Sequence, residues 1–351
     1  MSILAINSGS QTLKYKLYQA ESFKLIKEGK IENIGFGKIK NHFEAINQVR
    51  EEIQEYESEL KIIGHRYVNG GLEFIDPQVI DQAKAKTLEQ YNSLAPLHNP
   101  ANLAGIRATL KMIPQATNVA VFDTHFYKDL PEVAWRYALN KKIADENNYR
   151  RLGFHGISHA YAVSQVATVL KKKVNEMKII SLHLGGGASI TATNNGKVVD
   201  TSMGFTPAEG LMMMTRSGDI DPGILIDLVR KGMGGDELDE LLNYQSGIYG
   251  ICNKQSMLAV LEDLKEKKTK DVQLAFEMYV YRIKKYIGAY YAILGGCDAL
   301  VFTGTIGAGN PETREAVMEG LDFVAEVPVL VIPTDEEIMI AKEAYDVVKS
   351  S

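Results

Sequence analysis

The residues whose types and spacing could do chemistry are concentrated in residues 178–224, which combine a glycine run with an arginine and two carboxylates. The apolar residues 179–182 predict a buried strand, which leads into three consecutive glycines at 185–187. A returning strand at 189–193 and the turn dipeptide Asn195-Gly196 then predict a hairpin. Backbone N–H groups at such a glycine tip can approach phosphate oxygens more closely than side chains can. The pattern therefore predicts a phosphate-binding tip.

The second half of the same stretch adds charged groups. Thr206 to Glu209 has the pattern of a helix capping box, with proline at the first helical position. Arg216 follows in a polar loop together with Asp219 and Asp221. Taken one at a time, these features fit a surface hairpin and a solvated loop. Their occurrence within one span favours a binding site.

Length and composition limit the class of protein. A chain of 351 residues is long enough for two domains, and 45% hydrophobic with 24% charged residues is typical of a globular protein. The net charge of −5 argues against nucleic acid or an anionic membrane as a general partner. Cys252 and Cys297 lack the spacing of a metal or redox pair, and no apolar run is long enough for a transmembrane helix. The N-terminal residues do not resemble a signal peptide, so we expect a cytoplasmic protein.

A second pattern of strand, tip and strand occurs at the N-terminus, in residues 3–18. Two such hairpins far apart in the sequence suggest two related domains, each with a phosphate-binding tip. That arrangement is similar to the superfamily of sugar kinases, actin and heat-shock chaperone ATPases. We therefore expect an α/β fold with a cleft between the two domains. The expected domains are 1–127 together with 338–351, and 128–337.

Further candidate residues stand where predicted strands end. Arg66 follows the strand 61–64 and precedes two glycines, which suits an anion clamp, although a surface arginine near a turn fits as well. Asp123 ends the strand 119–122, and ligands gather at the carboxyl ends of strands in open α/β sheets. Asp123 could instead cap the turn that follows. His155 lies between glycines, which favours a hydrogen-bond donor in a cleft.

Two other features have weaker interpretations. The spacing of four between His155 and His159 could indicate a metal site, but Gly156 weakens a helix there and no third ligand stands nearby. We therefore interpret His159 as structural. A third glycine-rich loop, residues 304–309, follows a predicted strand and precedes a helix starting at Pro311. Its spacing matches neither the dinucleotide-binding fingerprint nor the phosphate-binding loop of P-loop proteins.

Together these residues resemble the acetate and propionate kinase family. The matches extend from residue 3 to residue 341, and the block at 200–222 is highly specific. The motifs are Asn7-x-Gly9-Ser10 with Lys14, Gly64-His65-Arg66-x-Val68 with Gly70-Gly71, Ala95-Pro96-Leu97-His98-Asn99-Pro100, Phe122-Asp123-Thr124, Gly153-Phe154-His155-Gly156-x-Ser158-His159, His183-Leu184-Gly185 and the block itself. The resemblance implies transfer of the γ-phosphoryl group of ATP to a short carboxylate with Mg²⁺, and a homodimer.

The resemblance also implies a role for each matching residue. Asn7 and Glu336 would lie near Mg²⁺, and Ser10 and Lys14 near the donor phosphates. Arg66 would bind the substrate carboxylate, and the pocket for its methyl group would consist of Val68, Leu97, Phe154 and Pro207. Asp123 would be the catalytic carboxylate, with His155 and Arg216 stabilising the transferring phosphoryl group. The nucleotide-binding positions would be His183, Leu184, Gly185, Gly186, Gly187, Met257, Leu258, Ala259, Thr305, Ile306, Gly307, Ala308 and Gly309.

The implied reaction does not need a strong base, because a carboxylate acceptor is already ionised at pH 7. It needs in-line positioning and a reduction of the repulsion between acceptor and phosphate, which arginines and Mg²⁺ supply. We therefore interpret Asp123 as an organiser of metal, water or Arg216 and not as a proton acceptor.

The nucleotide half departs from the family pattern. Small or apolar residues at 186, 257–259, 308 and 309, together with Thr305, replace side chains that would contact the nucleotide. A kinase with another donor, such as a different nucleotide or diphosphate, is therefore an alternative to ATP. Propionate is the alternative acceptor, although Val68 favours acetate because a smaller residue would leave room for another methylene. A catalytically inactive binding protein is a third alternative, against which the retained charged residues argue.

Overall fold

The computed structural model describes residues 1–96 and 98–350, so Leu97 lies outside the described residues. The strands are β1 (Ser2–Ser8), β2 (Leu13–Gln19), β3 (Leu25–Ile31), β4 (Leu60–Tyr67), β5 (Gln78–Val79), β6 (Thr117–Phe122), β7 (Lys178–Leu184), β8 (Ala188–Asn194), β9 (Lys197–Thr201), β10 (Ala299–Thr303) and β11 (Val329–Val331). The helices are α1 (His42–Glu52), α2 (Gln82–Leu88), α3 (Asn99–Met112), α4 (Glu132–Trp135), α5 (Lys141–Glu146), α6 (Gly156–Leu170), α7 (Pro222–Arg230), α8 (Gly235–Tyr244), α9 (Gly247–Cys252), α10 (Met257–Glu266), α11 (Lys270–Leu294), α12 (Gly304–Gly309), α13 (Pro311–Met318) and α14 (Glu336–Ser350).

The chain divides into two compact units. Unit 1 consists of Met1–Lys128 and the residues from Asp335 onward, and unit 2 is Asp129–Thr334. The sequence-based boundaries, after residues 127 and 337, lie one and three residues from these divisions. In this division Glu336 belongs to unit 1, because it opens α14 and that helix packs on strands of unit 1.

The sheet of unit 1 has the order β3-β2-β1-β4-β6-β5. Strands β1, β2 and β3 form an antiparallel meander, whereas β4 and β6 continue from β1 in parallel. The residues of β1 are all buried, as expected for a central strand covered on both faces. Ile63 packs in a core cluster with residues of α1 and α3, so these helices cover one face. Because successive residues of a strand point to opposite faces, Gly64 faces the other layer, which is α14.

Gly64 fixes how closely α14 approaches the sheet. A Cβ atom at this position would lie 2.8 Å from Ile340 Cγ2 and 3.0 Å from Ala344 Cβ. These distances are too short for carbon atoms, so only glycine lets α14 lie directly on β4. The close packing carries the first turn of α14, with Glu336 and Glu337, to the ends of β1 and β4.

The sheet of unit 2 has the order β11-β10-β7-β8-β9. Strands β7, β8 and β9 form an antiparallel meander, and β10 and β11 continue from β7 in parallel. Written in reverse, this order is β9-β8-β7-β10-β11, which corresponds strand by strand to β3-β2-β1-β4-β6 of unit 1. Both units therefore repeat one α/β topology, and α6, α11 and α12 contact the strands of unit 2.

Two local expectations were wrong. Thr206 to Glu209 do not start a helix; the segment from Gly204 to Asp221 is irregular. Its glutamate accepts hydrogen bonds from Tyr137 and Arg151, so it does not close a capping box. The glycine-rich segment at 304–309 is not a loop but the short helix α12. None of the helices in the described part of the chain has the length and apolar character needed to span a membrane.

Candidate active site

Three parallel strands bring polar residues together at one edge of the unit 1 sheet. Asn7 lies near the end of β1, Arg66 near the end of β4, and Asp123 directly after β6. The register pairs Arg66 with Val121 of β6, and the Asp123 N–H donates to the Tyr67 carbonyl at 3.0 Å. The carboxyl ends of parallel strands are where ligands bind in open α/β sheets, as expected from the sequence.

Asp123 engages two nitrogens of the Arg66 guanidinium. Arg66 Nη2 donates to Oδ2 at 2.6 Å, and Nε lies 3.1 and 3.2 Å from the two carboxylate oxygens. The Asp123 side chain is 1% exposed and that of Arg66 is 17% exposed. A buried fork of this kind fixes the guanidinium plane as well as its charge. The structure therefore gives Asp123 the role of organising Arg66, a partner that the sequence analysis had not named.

The first turn of α14 completes this cluster. Arg66 Nη1 lies 3.5 Å from Glu336 Oε2 and 3.3 Å from Asn7 Oδ1. The Asn7 amide donates to Glu336 at 2.8 Å and to Glu337 at 3.3 Å. Burial acts to lower the pKa of Arg66, but the carboxylates of Asp123 and Glu336 outweigh it and raise that pKa. Burial and the neighbouring Glu336 raise the pKa of Glu337.

The cluster is suited to a hard divalent cation. The Arg66 guanidinium lies within 4.0 Å of the carboxylates of Asp123 and Glu336, so negative charge is in excess. The atoms of this cluster that could ligate a metal are oxygens. Mg²⁺ commonly uses one or two carboxylates and completes its shell with water and substrate phosphates. The described residues contain no group of three or more His, Cys, Asp or Glu placed to hold a metal alone. The donor set therefore fits a metal that arrives with phosphates, and it does not form an all-protein cage.

The loop after β4 is fixed by asparagines of α3. The Val68 N–H donates to Asn102 Oδ1 at 3.2 Å, and Asn99 exchanges two hydrogen bonds with the backbone of Asn69. Val68 itself is buried. Leu97, the other pocket residue expected in this unit, lies outside the described residues.

The N-terminal hairpin carries two residues expected near the donor phosphates. Ser10 is exposed at its tip, and Lys14 is exposed on β2. Lys14 lines an open cavity of about 260 Å³ together with Lys16 and Lys30. Lys16 is paired with Asp335 at 2.8 Å. Glu28 and Glu337 also line the cavity, so its wall carries both charges, and a role for Ser10 or Lys14 in phosphate binding stays a prediction.

In unit 2, the glycine tip brings a histidine and an arginine close together. Glycines 185–187 join β7 to β8, and the Gly185 N–H donates to the Gly187 carbonyl at 2.9 Å. A Cβ atom on Gly187 would lie 3.3 Å from both His155 Nε2 and Arg216 Nη1. The missing side chain therefore leaves room for both groups, and their nitrogens face the same point beside the tip.

His155 sits in a left-handed backbone conformation, with φ of 60°, directly before α6. A non-glycine residue there is strained by about 1–2 kcal/mol, and surrounding contacts must hold it. Its Nδ1 lies 2.8 Å from Ser189 Oγ, and its ring stacks on His183 with centroids 4.2 Å apart. His183 Nδ1 in turn lies 2.8 Å from Ser158 Oγ. The ring orientation of His155 is thus set by contacts on its face and at Nδ1.

Arg216 has no counter-ion in this unit among the described residues. The closest contacts of Nη1 are the Pro207 carbonyl at 3.5 Å and Met213 Sδ at 3.6 Å, and no described carboxylate lies within 4.0 Å. Burial lowers the pKa of Arg216, an effect that Tyr244 partly offsets. A desolvated cation beside a glycine tip and a histidine is suited to an anion such as a phosphoryl group. Phe154, the other pocket residue expected here, is buried directly before His155.

Helix α12 meets the same tip. Gly304 has φ of 80°, and a Cβ there would lie 2.5 Å from the Leu184 carbonyl, so this position requires glycine. The contact places α12 against the end of β7, and Thr305 Oγ1 lies 3.4 Å from the Cβ position of Gly185. The structure therefore brings together two of the expected nucleotide-binding segments, which contain Leu184, Gly186, Ile306, Gly307, Ala308 and Gly309.

The third expected segment lies in the first turn of α10. Met257 is buried, Leu258 is 61% exposed, and Ala259 donates its N–H to the capping Ser256 hydroxyl. These positions show no polar side chain that could contact a nucleotide, and their role stays a prediction.

Sequence reasoning missed several residues of these clusters. One of them is Glu337, which directly follows Glu336 in the first turn of α14. Asn102 lies inside α3 and contacts residues at the ends of strands. The only signal in the sequence is an asparagine within a helix. Ser189 and Ser181 are small residues in strands, and nothing in a strand pattern indicates their histidine partners. His159 was interpreted as structural; it is fully buried between two serines.

Comparisons with known proteins were made for the sequence and for the fold. The model of the acetokinase family matches residues 2–325. A protein named acetate kinase from Coprothermobacter proteolyticus is 40% identical and covers 99% of both chains. The crystal structure of Porphyromonas gingivalis acetate kinase has a TM-score of 0.89 at 36% identity and covers 99% of both chains. A propionate kinase from Francisella tularensis has a TM-score of 0.90 at 32% identity and covers 98% of this chain and 99% of its own.

The fold extends to more distant proteins. A ROK hexokinase from Thermus thermophilus has a TM-score of 0.51 at 11% identity, which supports the fold alone. The expected α/β fold is therefore confirmed and is shared with this hexokinase, and the family resemblance and the expectation of a kinase are confirmed as well. The chain belongs to the acetokinase family and is a kinase.

Proposed function

We propose that this protein transfers the γ-phosphoryl group of ATP to acetate, giving acetyl phosphate and ADP, and that it also runs in reverse. The observation that carries this proposal is Arg216, a desolvated guanidinium without a described carboxylate within 4.0 Å, whose Nη1 faces the same point as His155 Nε2. A transferring phosphoryl group spreads negative charge over its equatorial oxygens, and such a cation is placed to stabilise it.

Unit 1 supplies residues for the acceptor. Asp123 occupies Nε and Nη2 of Arg66, so an incoming carboxylate would bind at the Nη1 side. That side carries the two longest contacts of the guanidinium, to Asn7 and Glu336, which are the easiest to replace. Val68, Leu97, Phe154 and Pro207 would form the apolar surroundings of the methyl group.

The reaction forms one bond and breaks one. An acetate oxygen attacks the γ-phosphorus while the bond from phosphorus to the bridging oxygen of ADP breaks. The acceptor is ionised at pH 7, so no proton has to be removed. His155 would donate a hydrogen bond to a phosphoryl oxygen, and Arg216 would neutralise the charge that develops. The strands and helices hold these groups before the reaction, so little reorganisation is needed.

Asn7 and Glu336 would hold Mg²⁺, which supplies charge neutralisation at the donor phosphates. Ser10 and Lys14 would contact those phosphates from unit 1. In unit 2 the nucleotide would lie on the segments of His183, Gly185, Gly187, Thr305 and Met257. The backbone N–H groups of the glycine tip do not depend on side chains, so phosphate binding survives the altered residues there.

Propionate is the second candidate acceptor, because a propionate kinase from Francisella tularensis shares the fold at 32% identity. Kinetic assays with acetate and propionate, each with ATP, GTP, ITP and diphosphate, test both substrates. We expect acetate with ATP to give acyl phosphate, trapped as a hydroxamate. Absence of acyl phosphate with every donor would refute the proposed activity. Diphosphate is the less favoured donor because nothing bulky in α12 fills the space for a nucleoside.

The assembly and location follow the same reasoning. We propose a cytoplasmic homodimer, as the resemblance to acetate kinases implies. Light scattering coupled to size-exclusion chromatography tests the dimer, and a monomer mass near 38.9 kDa across the concentration range would refute it.

A further inference from the structure

Three buried side chains of unit 2 form a chain of hydrogen bonds that ends at the partly buried His155. Ser181 Oγ lies 2.7 Å from His159 Nδ1, and His159 Nε2 lies 2.8 Å from Ser189 Oγ. Ser189 Oγ also lies 2.8 Å from His155 Nδ1. Ser181, His159 and Ser189 are all fully buried, so water does not compete for these bonds. The first three residues are called the relay below.

The number of protons in the relay is limited. The Ser189 hydroxyl has one hydrogen, so it donates to one of the two rings and accepts from the other. His159 is neutral, because burial and the nearby His183 hold its pKa well below the usual range. A neutral imidazole carries one N–H, so His159 donates on one side only. Two arrangements therefore satisfy all three contacts, and they differ in which nitrogen of neutral His155 carries the proton.

In the first arrangement, Ser181 donates to His159 Nδ1, His159 Nε2–H donates to Ser189, and Ser189 donates to His155 Nδ1. The proton of neutral His155 then lies on Nε2. In the second arrangement every bond is reversed, and His155 Nδ1–H donates to Ser189. Neutral His155 would then present a bare nitrogen at Nε2.

Ser181 decides between the two arrangements. The His159 ring is the one hydrogen-bond partner of the Ser181 hydroxyl within the described part of the chain. In the first arrangement that hydroxyl donates to His159. In the second it only accepts, and its own hydrogen is buried without a partner. An unsatisfied buried donor costs about 1–3 kcal/mol, so the first arrangement is favoured by about fivefold or more.

We propose that Ser181, His159 and Ser189 are positioning residues that select, for the uncharged ring of His155, the tautomer with its proton on Nε2. This nitrogen faces the same point beside Gly187 as Arg216 Nη1. A neutral Nε2–H donates to a phosphoryl oxygen, whereas a bare Nε2 would place a lone pair against it. The relay thus sets the direction of the hydrogen bond on which the proposed role of His155 rests.

Nitrogen-15 NMR of the histidine-labelled free protein at pH 7.5 tests the relay without any substrate. Nitrogens that carry a proton and bare ring nitrogens differ in chemical shift and in their couplings to the ring hydrogens. The His155 signals are assigned by their loss in His155→Asn. We expect His155 to show a protonated Nε2 and a bare Nδ1. A protonated Nδ1 with a bare Nε2 in the wild-type protein would overturn the proposal, and this measurement needs no relay variant to fold.

Variants connect the tautomer to catalysis. Ser189→Ala should give a mixture of His155 tautomers and lower kcat by about tenfold, with the KM for acetate changed by less than about twofold. Ser181→Ala, which removes the group that selects the arrangement, should give the same tautomer mixture. Thr193→Val is the matched control, because it removes another fully buried hydroxyl from the same strand; its spectrum and kcat should match the wild type.

The outcomes separate the relay from the proposed function. An unchanged His155 spectrum in both Ser189→Ala and Ser181→Ala overturns the relay, even if the enzyme makes acetyl phosphate. Failure to form acyl phosphate overturns the proposed function, while the tautomer of His155 still decides on the relay. An equal loss of kcat in Thr193→Val would show that general disturbance of β8 explains the effect, and would also overturn the proposal.

Discussion

Arg216→Met is expected to abolish most of the activity without lowering the stability of the fold. Arg216 is partly buried, and within the described residues the polar contacts of its guanidinium are one carbonyl at 3.5 Å and one sulfur at 3.6 Å. A buried charge that lacks a partner destabilises the folded state, because the ion loses hydration and gains little in return. Methionine keeps much of the apolar stem and removes that cost. We expect the free energy of unfolding to stay unchanged or to rise by up to about 2 kcal/mol.

The activity of Arg216→Met should fall, although its stability is expected to stay unchanged or to rise. A charge that stabilises the transferring phosphoryl group contributes mainly in the transition state, so kcat should fall more than binding weakens. Loss of one such donor costs about 10²-fold or more in rate, roughly 3 kcal/mol. The KM values for acetate and nucleotide should change by less than about threefold.

Arg151→Met provides the matched control within unit 2. The Arg151 guanidinium donates to Glu209 at 2.6 Å and to three backbone carbonyls at 3.1 Å each, those of Thr201, Ser202 and Met203. Its Nε also donates to the Ala134 carbonyl at 3.3 Å, so removing the guanidinium leaves a partly buried carboxylate and four carbonyls without their donor. A broken buried ion pair costs about 3–5 kcal/mol, and the partial exposure of Glu209 places this one near about 3 kcal/mol.

Urea unfolding followed by circular dichroism, with steady-state kinetics on the same samples, distinguishes the two arginines. The reasoning predicts a lower urea midpoint for Arg151→Met and an unchanged or higher midpoint for Arg216→Met. It is refuted if Arg216→Met loses stability as Arg151→Met does, because the arginine would then have a structural role. Turnover close to the wild-type value in Arg216→Met would refute the assigned function of the residue.

Three further predictions concern the acceptor, the response to pH and the donor. Val68→Ala should shift the ratio of kcat/KM from acetate toward propionate by about tenfold or less, since one methylene in an apolar pocket is worth about 1–3 kcal/mol; an unmoved ratio would show that Val68 does not line the pocket. Burial lowers the pKa of His65 from 6.5 to about 4, so the unfolded chain binds more protons between these values and stability falls as the pH drops through them. Between pH 7 and pH 4, the free energy of unfolding of His65→Gln should therefore fall by about 3 kcal/mol less than that of the wild type, as measured by urea unfolding. The same pH dependence in both proteins would contradict a neutral, buried His65. Comparison of kcat/KM for ATP, GTP and ITP should show a high KM for ATP and little discrimination, because each lost neutral hydrogen bond is worth about 0.5–1.5 kcal/mol; a preference for ATP above about a hundredfold would contradict this.

The strand ends of unit 1 could be predicted because their signals are local. Apolar runs before Arg66 and Asp123 indicate two buried strands, and adjacent parallel strands place their carboxyl ends at one edge. These local patterns do not show that the side chains of Arg66 and Asp123 pair with each other. Which acidic group takes the guanidinium depends on the strand order, and this order is a property of the whole sheet.

The two expectations that were wrong have the opposite cause, because contacts with residues distant in the sequence override the local patterns. Thr206 to Glu209 has good capping chemistry, but Arg151 and Tyr137 take the glutamate, and the helix does not form. The glycines at 304–309 have low intrinsic helix propensity. Contact of Gly304 with the end of β7 nevertheless starts a helical turn there, and the Arg314 guanidinium donates to the carbonyls at its end.

Arg66 and Arg216 differ in how far neighbouring groups compensate their charge. Arg66 is surrounded by carboxylates, so its charge is compensated in the free protein and its plane is fixed; it is suited to orienting an acceptor more than to attracting one. Arg216 lacks that compensation in the described structure, so its interaction free energy is largely unused until an anion arrives. An anion that gains charge in the transition state gains most from such a group, because part of the hydration of the cation is already lost before the anion arrives. Fold stability and the proposed catalytic role therefore place opposite demands on Arg216, and the proposed relay fits this assignment because it would orient a hydrogen-bond donor of His155 toward the point that Arg216 Nη1 also approaches.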